Sequence, residues 1–183
     1  MSLNKSLVIN ANRYILAIEN KFPFDADIFV TTRRNLPMLA MTLLNSDFFF
    51  ATYLNDMFVI DNFGKRYRFV AVYRFTDLDN VVSFTVMTAS IEGIAVFSIE
   101  NLYESVSWLE RESWEMFGVS FDGNKHMRRL LTDYGFRGFP LRKDFPLSGY
   151  KELFYSYHRN SLEFVNNEFM QKYRRFEFYH NWK

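Results

Sequence analysis

The chain has 183 residues, 49% of them hydrophobic and 23% charged, with a formal net charge of +1 and no cysteine. One domain's worth of such a composition argues against a disordered or collagen-like protein, and near-neutrality argues against a polyanion binder driven by bulk charge. The missing thiols remove disulfides, thiol nucleophiles and cysteine-held zinc or iron–sulfur centres, and the scattered His126, His158 and His180 lack a metal-box spacing, so no metal or cofactor is expected on this chain.

From the N-terminus, Leu7, Ala11, Tyr14, Ile15, Ile18 and Phe22 recur at spacings of three and four, predicting an amphipathic helix stopped by Pro23. This segment resembles neither a secretory signal nor an Arg-rich transit peptide. Residues 25–32 alternate and predict a short strand. Leu36, Leu39, Ala40, Leu43 and Leu44 predict a second helix, with Asn35 as its cap and Pro37 in its first turn.

The centre reads as sheet. Residues 57–60 lead into an Asn62-Phe63-Gly64 turn, and the next run sets Tyr67, Phe69, Ala71, Tyr73 and Phe75 against Arg66, Arg68 and Arg74. A third β-rich run over 81–89 completes an antiparallel meander. No uninterrupted apolar stretch reaches the roughly 18 residues of a membrane span, because Glu92 and several hydroxyl residues break 81–99. A third helix is predicted to open at Asn101, with Glu104 as capping-box partner and Leu102, Val106, Leu109, Met116 and Phe117 as its stripe up to Gly118. The fold class expected is α+β: an antiparallel sheet with helices packed on one face, over residues 1–120, followed by an extended C-terminal arm.

Beyond Gly118 glycine and proline punctuate the chain, leaving room for one short helix near 126–134. Residues 121–183 are read as that arm, which packs on partner subunits. Twelve of the 36 aromatics fall between Phe145 and Trp182, a density that points to a covered interaction surface.

Several candidate sites are weak. Gly118-x4-Gly123-Asn124-Lys125 misses the phosphate-loop spacing and follows a helix instead of a strand, and no dinucleotide fingerprint occurs. Glu110, Glu112 and Glu115 could be drawn as acid–base pairs, but Arg111 and Glu115 stand at the i,i+4 spacing of an ion pair on a charged face. Arg128, Arg129, Arg137, Arg142 and Lys143, interleaved with Tyr134, Phe136 and Phe139, could grip single-stranded RNA, and Gly135-Phe136-Arg137-Gly138 fits a GxxG loop. Asp133 and Asp144 in their midst favour salt bridges to protein instead.

Residues 110–118, Glu-Arg-Glu-Ser-Trp-Glu-Met-Phe-Gly, resemble the signature of the 30 kDa subunit of respiratory complex I, the NADH:ubiquinone oxidoreductase. The likeness continues through Arg128-Arg129-Leu130-Leu131-Thr132-Asp133-Tyr134-Gly135-Phe136 and Pro140-Leu141-Arg142-Lys143-Asp144-Phe145-Pro146-Leu147-Ser148-Gly149-Tyr150, and Tyr173–Phe178 looks like the family's C-terminal end. Departures are Asn124 where the family usually has His, Lys125-His126 for the usual Pro-Asp, and Phe139 for the His ahead of Pro140.

The resemblance implies a cofactor-free core subunit of the peripheral arm, bracing the quinone-site (49 kDa type) subunit and neighbouring iron–sulfur subunits. FMN and the clusters would sit on other chains, with ubiquinone as the complex's substrate, no nucleic acid partner and membrane attachment only through the complex. It places Glu110, Arg111, Glu112, Arg128, Arg129, Asp133, Tyr134, Arg142, Lys143 and Asp144 at a partner interface or in locking the arm, with no catalytic residue. The expected location is the matrix side of the mitochondrial inner membrane, with the chain organelle-encoded, or else the cytoplasmic face of a bacterial membrane. A stand-alone quinone reductase is the remaining rival.

Overall fold

The computed structural model describes residues 14–19, 28–45, 53–78 and 82–168. By internal packing the chain divides between Phe145 and Pro146 into two compact units, so residues 121–145 belong with the first.

The first unit is built on a five-stranded sheet: β1 (Ile15–Glu19), β2 (Ile28–Thr31), β3 (Tyr53–Asp61), β4 (Phe69–Asp77) and β5 (Val82–Ser90), in the order β1-β2-β5-β4-β3. β3, β4 and β5 form the expected antiparallel meander, and alternation puts Leu54, Met57, Val59, Phe69, Ala71, Tyr73, Phe75, Phe84 and Val86 on the buried face. The sheet is mixed, because β2 runs parallel to β5. That pairing joins strands some fifty residues apart, beyond the reach of local alternation.

Ile15–Glu19 is the edge strand β1, antiparallel to β2, and overturns the helix predicted there. The spacing of Tyr14, Ile15 and Ile18 mimics a helical stripe, but pairing with β2 satisfies the backbone, and the Thr31 hydroxyl donates to the Tyr14 carbonyl at 2.6 Å. Leu7, Ala11, Phe22, Pro23 and residues 25–27 of the same readings lie outside the described residues, as do Val81, Tyr173–Phe178 and His180.

Helix α1 (Leu36–Leu44) buries Leu36, Leu39, Ala40 and Leu43 in the core. Asn35 occupies its N-cap position with no side-chain capping bond, its own N–H meeting the Thr32 carbonyl at 3.0 Å. Helix α2 (Val106–Phe117) starts at Val106, five residues later than the capping-box pattern at Asn101 predicted. Residues 99–105 are instead taken into turns by Leu102 and Tyr103 N–H bonds to the Ile99 carbonyl, which sink Ile99 and Tyr103 into the core. The short strands β6 (Val96–Phe97) and β7 (Phe121–Asp122) pair in parallel across the ends of this helical segment.

Residues 123–150 hold turns and bends, with no helix at 126–134. The N–H groups of Leu130, Leu131 and Thr132, which in such a helix would bond carbonyls four residues back, are taken by a carboxylate, as described below. In the second unit, β8 (Lys151–Ser156) and β9 (Ser161–Asn166) form an antiparallel hairpin where an extended arm was expected. Among the described residues, no helix is long and apolar enough to cross a membrane.

Candidate partner-interface site

Helix α2 buries polar groups as well as its apolar stripe: Glu110, Arg111, Ser113 and Glu115 are buried alongside Val106 and Met116. Isolated buried charges are costly, so each must find partners.

Glu110, fully buried, accepts from the Ser98 hydroxyl at 2.6 Å, the Asn124 amide at 2.9 Å and the Ile99 N–H at 3.3 Å. Burial still pushes its carboxyl above the usual range against those three bonds. Burial also pushes the adjacent core phenol of Tyr73 well up, reinforced by Glu110.

Glu115 behaves in the opposite way. Its two oxygens accept the backbone N–H groups of Leu130 (2.7 Å), Leu131 (2.9 Å) and Thr132 (2.6 Å) together with the Thr132 hydroxyl. Burial alone would raise this carboxyl, but the four donors outweigh it and bring it down to about 2. The expected Arg111–Glu115 ion pair is therefore absent. Arg111 instead donates to the Ser107 carbonyl at 3.2 Å and lies over the Trp108 ring, 5.4 Å from its centroid. The cation nearest Glu115 is Arg129, at 4.0 Å, which donates to the Thr132 hydroxyl at 2.7 Å.

A second cluster ties residues 139–145 to the end of the sheet. Arg68 donates to Asp61 at 2.9 and 3.1 Å, to Glu92 at 3.1 Å and to Asp144 at 2.7 Å. Asp61 also accepts the Lys143 N–H at 2.9 Å. The guanidinium of Arg68 holds the carboxyls of Asp61 and Asp144 below their ordinary value.

Arg142 donates to the Phe117 carbonyl at 2.6 Å and to Glu92, with its guanidinium 4.2 Å from the centroid of Phe139. A cation thus closes the C-terminus of α2, where orphan carbonyls and the helix dipole favour positive charge. Leu141 N–H meets the Met116 carbonyl there too, at 3.2 Å. Gly118 turns the helix with φ +73°, and a Cβ on it would come within 2.7 Å of Phe139. Phe139, one of the departures from the expected pattern, is the ring on which Arg142 rests.

Of the remaining nominated residues, Glu112 is half-buried, Arg128 and Lys143 have exposed side chains, and Asp133 accepts the Tyr134 N–H at 2.8 Å. Tyr134 projects its ring into the open, 92% exposed. The structure brings Arg142, Lys143 and Asp144 together at the sheet end and Arg129 to Glu115, but it does not gather all ten. Residues that sequence reasoning missed are Glu115 as a backbone clamp, and Asp61, Arg68 and Glu92. Asp61 ends β3 and Arg68 immediately precedes β4, so the two flank the β3–β4 turn close enough to pair across it.

The hairpin of the second unit pairs Leu153 with Phe164 and Tyr155 with Leu162, setting four large apolar side chains on one face. All four are exposed, Leu162 at 66% and Phe164 at 61%. The opposite face mixes Phe154 and Val165 with Glu152 and Glu163.

The family model described as respiratory-chain NADH dehydrogenase, 30 Kd subunit, matches residues 29–151, which include α2, both clusters and the irregular strap of residues 124–145. The chain belongs to this family. Among its relatives, NADH-ubiquinone oxidoreductase subunit 9 of Acanthamoeba castellanii is 41% identical over 130 residues, 71% of this chain and 66% of that protein, just under two-thirds of its length. An NADH-quinone oxidoreductase subunit of Erythrobacter litoralis is 34% identical over 178 residues, 97% of this chain and 70% of that protein. A chain from the membrane-bound sulfane sulfur reductase, an archaeal respiratory membrane complex, shares the fold with a TM-score of 0.61 at 20% identity, over 78% of this chain and 83% of that one.

For this 30 Kd-type chain, two of the five cations that an RNA-gripping surface would need, Arg129 and Arg142, are turned onto intrachain acceptors. Among the described residues no cluster of His, Asp and Glu is arranged to hold a metal ion.

Proposed function

We propose that this chain is a cofactor-free core subunit of the peripheral arm of a proton-pumping NADH:ubiquinone oxidoreductase, where it braces the quinone-site subunit and neighbouring iron–sulfur subunits. FMN and the clusters reside on those other chains, and electrons pass through them. The role of this chain is positional: electron transfer and its coupling demand fixed geometry between groups held by different proteins. The family membership supplies the assembly, and the ubiquinone in the name of the Acanthamoeba relative supports that acceptor.

The observation that carries the bracing role is the treatment of residues 124–145. They lack regular structure, yet buried Glu115, Glu110 and Asp61 fix them by backbone and side-chain bonds, so they present a preformed surface. Arg129, Arg142, Lys143 and Asp144 act in this reading as strap-locking groups, while Asp133 and Tyr134 face a partner. The location proposed is the matrix side of the mitochondrial inner membrane, or else the cytoplasmic face of a bacterial membrane.

Isolation of the native membrane assembly through a tag on this chain tests the reading. The expected result is co-purification with FMN- and cluster-bearing subunits and NADH:ubiquinone activity, cross-links from residues 120–168 to the quinone-site subunit, and impaired assembly with Arg142→Ala. Recovery of the chain apart from any NADH-oxidising assembly overturns it.

A further inference from the structure

Ser107, Arg111, Lys125, His126, Met127 and Arg128 line one open cleft of about 440 Å³. One wall comes from the first turns of α2 and the other from the loop that follows β7. No acidic side chain lines it. The carboxylate beside it is Glu100, which accepts the Lys125 N–H at 2.9 Å and is held below its ordinary value first by that bond, with help from the Ser107 hydroxyl, His126 and the Lys125 charge. Glu100 offsets one of three cations, Arg111, Lys125 and Arg128, and positive charge is left in excess.

Among the described residues none of these three cations forms an ion pair. Arg111 is anchored through its Nε to the Ser107 carbonyl and by its face to Trp108, an arrangement that holds the guanidinium in place. Because Glu115 is saturated by the strap, the acid four residues on does not neutralise Arg111.

The geometry points to a binding site for a small phosphorylated anion, gripped by Arg111, Arg128 and Lys125 with His126 as a further donor. A single carboxylate satisfies one guanidinium fork, whereas a phosphoryl group carries up to two charges on three terminal oxygens and engages several cations at once. The volume falls within the roughly 300–1,000 Å³ of small-molecule sites, which leaves room for an organic portion beside Met127. An aspartate at 126 would put a negative charge in the cleft. The inference does not rest on the proposed membership of a respiratory assembly.

Calorimetric titration of the full chain at low salt tests it, with inorganic pyrophosphate in one arm and phosphatidylcholine vesicles doped with phosphatidic acid in the other. Saturable binding is expected, weakened about tenfold by Arg128→Gln and by Lys125→Gln, both exposed positions whose replacement leaves the core untouched, and abolished by His126→Asp. Binding in the pyrophosphate arm assigns a free phosphorylated molecule, and binding confined to the vesicles assigns a lipid headgroup. Absence of binding in both arms, or binding that the three variants leave unchanged, overturns the site. So does preferential binding of a glutamate-rich peptide lost in the same variants, which would give the cleft to an acidic protein segment.

Discussion

Residues 124–145 and the hairpin of β8 and β9 are alike in composition, rich in aromatic and charged side chains, and they deal with those side chains in opposite ways. In the strap, the N–H groups of residues 130–132 and of Lys143 end on Glu115 and Asp61, the Arg142 guanidinium ends on Glu92 and the Phe117 carbonyl at the close of α2, and Phe136 packs 6.0 Å from Phe145. In the hairpin, Leu153, Tyr155, Leu162 and Phe164 share one face and stand exposed, and the single ion pair of the turn, Arg159 to Glu163 at 3.3 Å, is a surface one. The strap's stability is internal to its unit. The hairpin shows an apolar face of the kind that marks an interaction site.

Substitutions can break this contrast, and the largest effect belongs to Glu115→Ala. It strands three backbone N–H groups and a hydroxyl, and should cost the folded chain about 4 kcal/mol in urea unfolding. Arg68→Ala leaves the buried Asp61 carboxylate without its cation, and about 3 kcal/mol of destabilisation is expected in the same measurement.

Acid sharpens the same point. Glu115 has a depressed folded value of about 2 against an ordinary 4.5, so its contribution is fully present above pH 4.5 and is lost as pH falls toward 2. That contribution amounts to about 3 kcal/mol, and it should vanish from the stability–pH curve of Glu115→Ala. Next comes Gly118→Ala, which combines a left-handed backbone with a close approach to Phe139 and should lower stability by about 2 kcal/mol. The smallest effect on folding is expected for Leu162→Ser, within about 0.5 kcal/mol of the parent. Its consequence should appear in assembly, as reduced recovery of the chain in the membrane complex. A Leu162→Ser chain that unfolded as readily as Glu115→Ala would erase the distinction between the two regions.

Local pattern carried the meander and the apolar stripes of both helices, because alternation and three-four spacing are written by neighbours along the chain. It misled at Ile15–Glu19, where a stripe of three apolar side chains fits either period and only pairing with Ile28–Thr31 decides. The parallel alignment of β2 with β5 and the divided chain at Phe145 depend on contacts between distant segments. At the site, the charged residues around 110–115 and 128–144 stood out, yet their partners did not. Glu115 was matched with Arg111 because side chains at i and i+4 face each other, but its true partners are backbone amides fifteen to seventeen positions on, and amides have no sequence signature. Nothing in the sequence marks the contacts of Phe139 and Asn124, one lying under Arg142 and the other bonded to Glu110.

Arg68 gathers carboxylates from Asp61, Glu92 and Asp144, the last of them 76 positions downstream. During translation the chain therefore leaves the ribosome with this latch open until Asp144 has emerged, and the sheet end is the last corner of its unit to close. A message truncated before that codon would yield a nascent product whose Arg68 keeps Asp61 and Glu92 but has no Asp144 with which to fasten the strap.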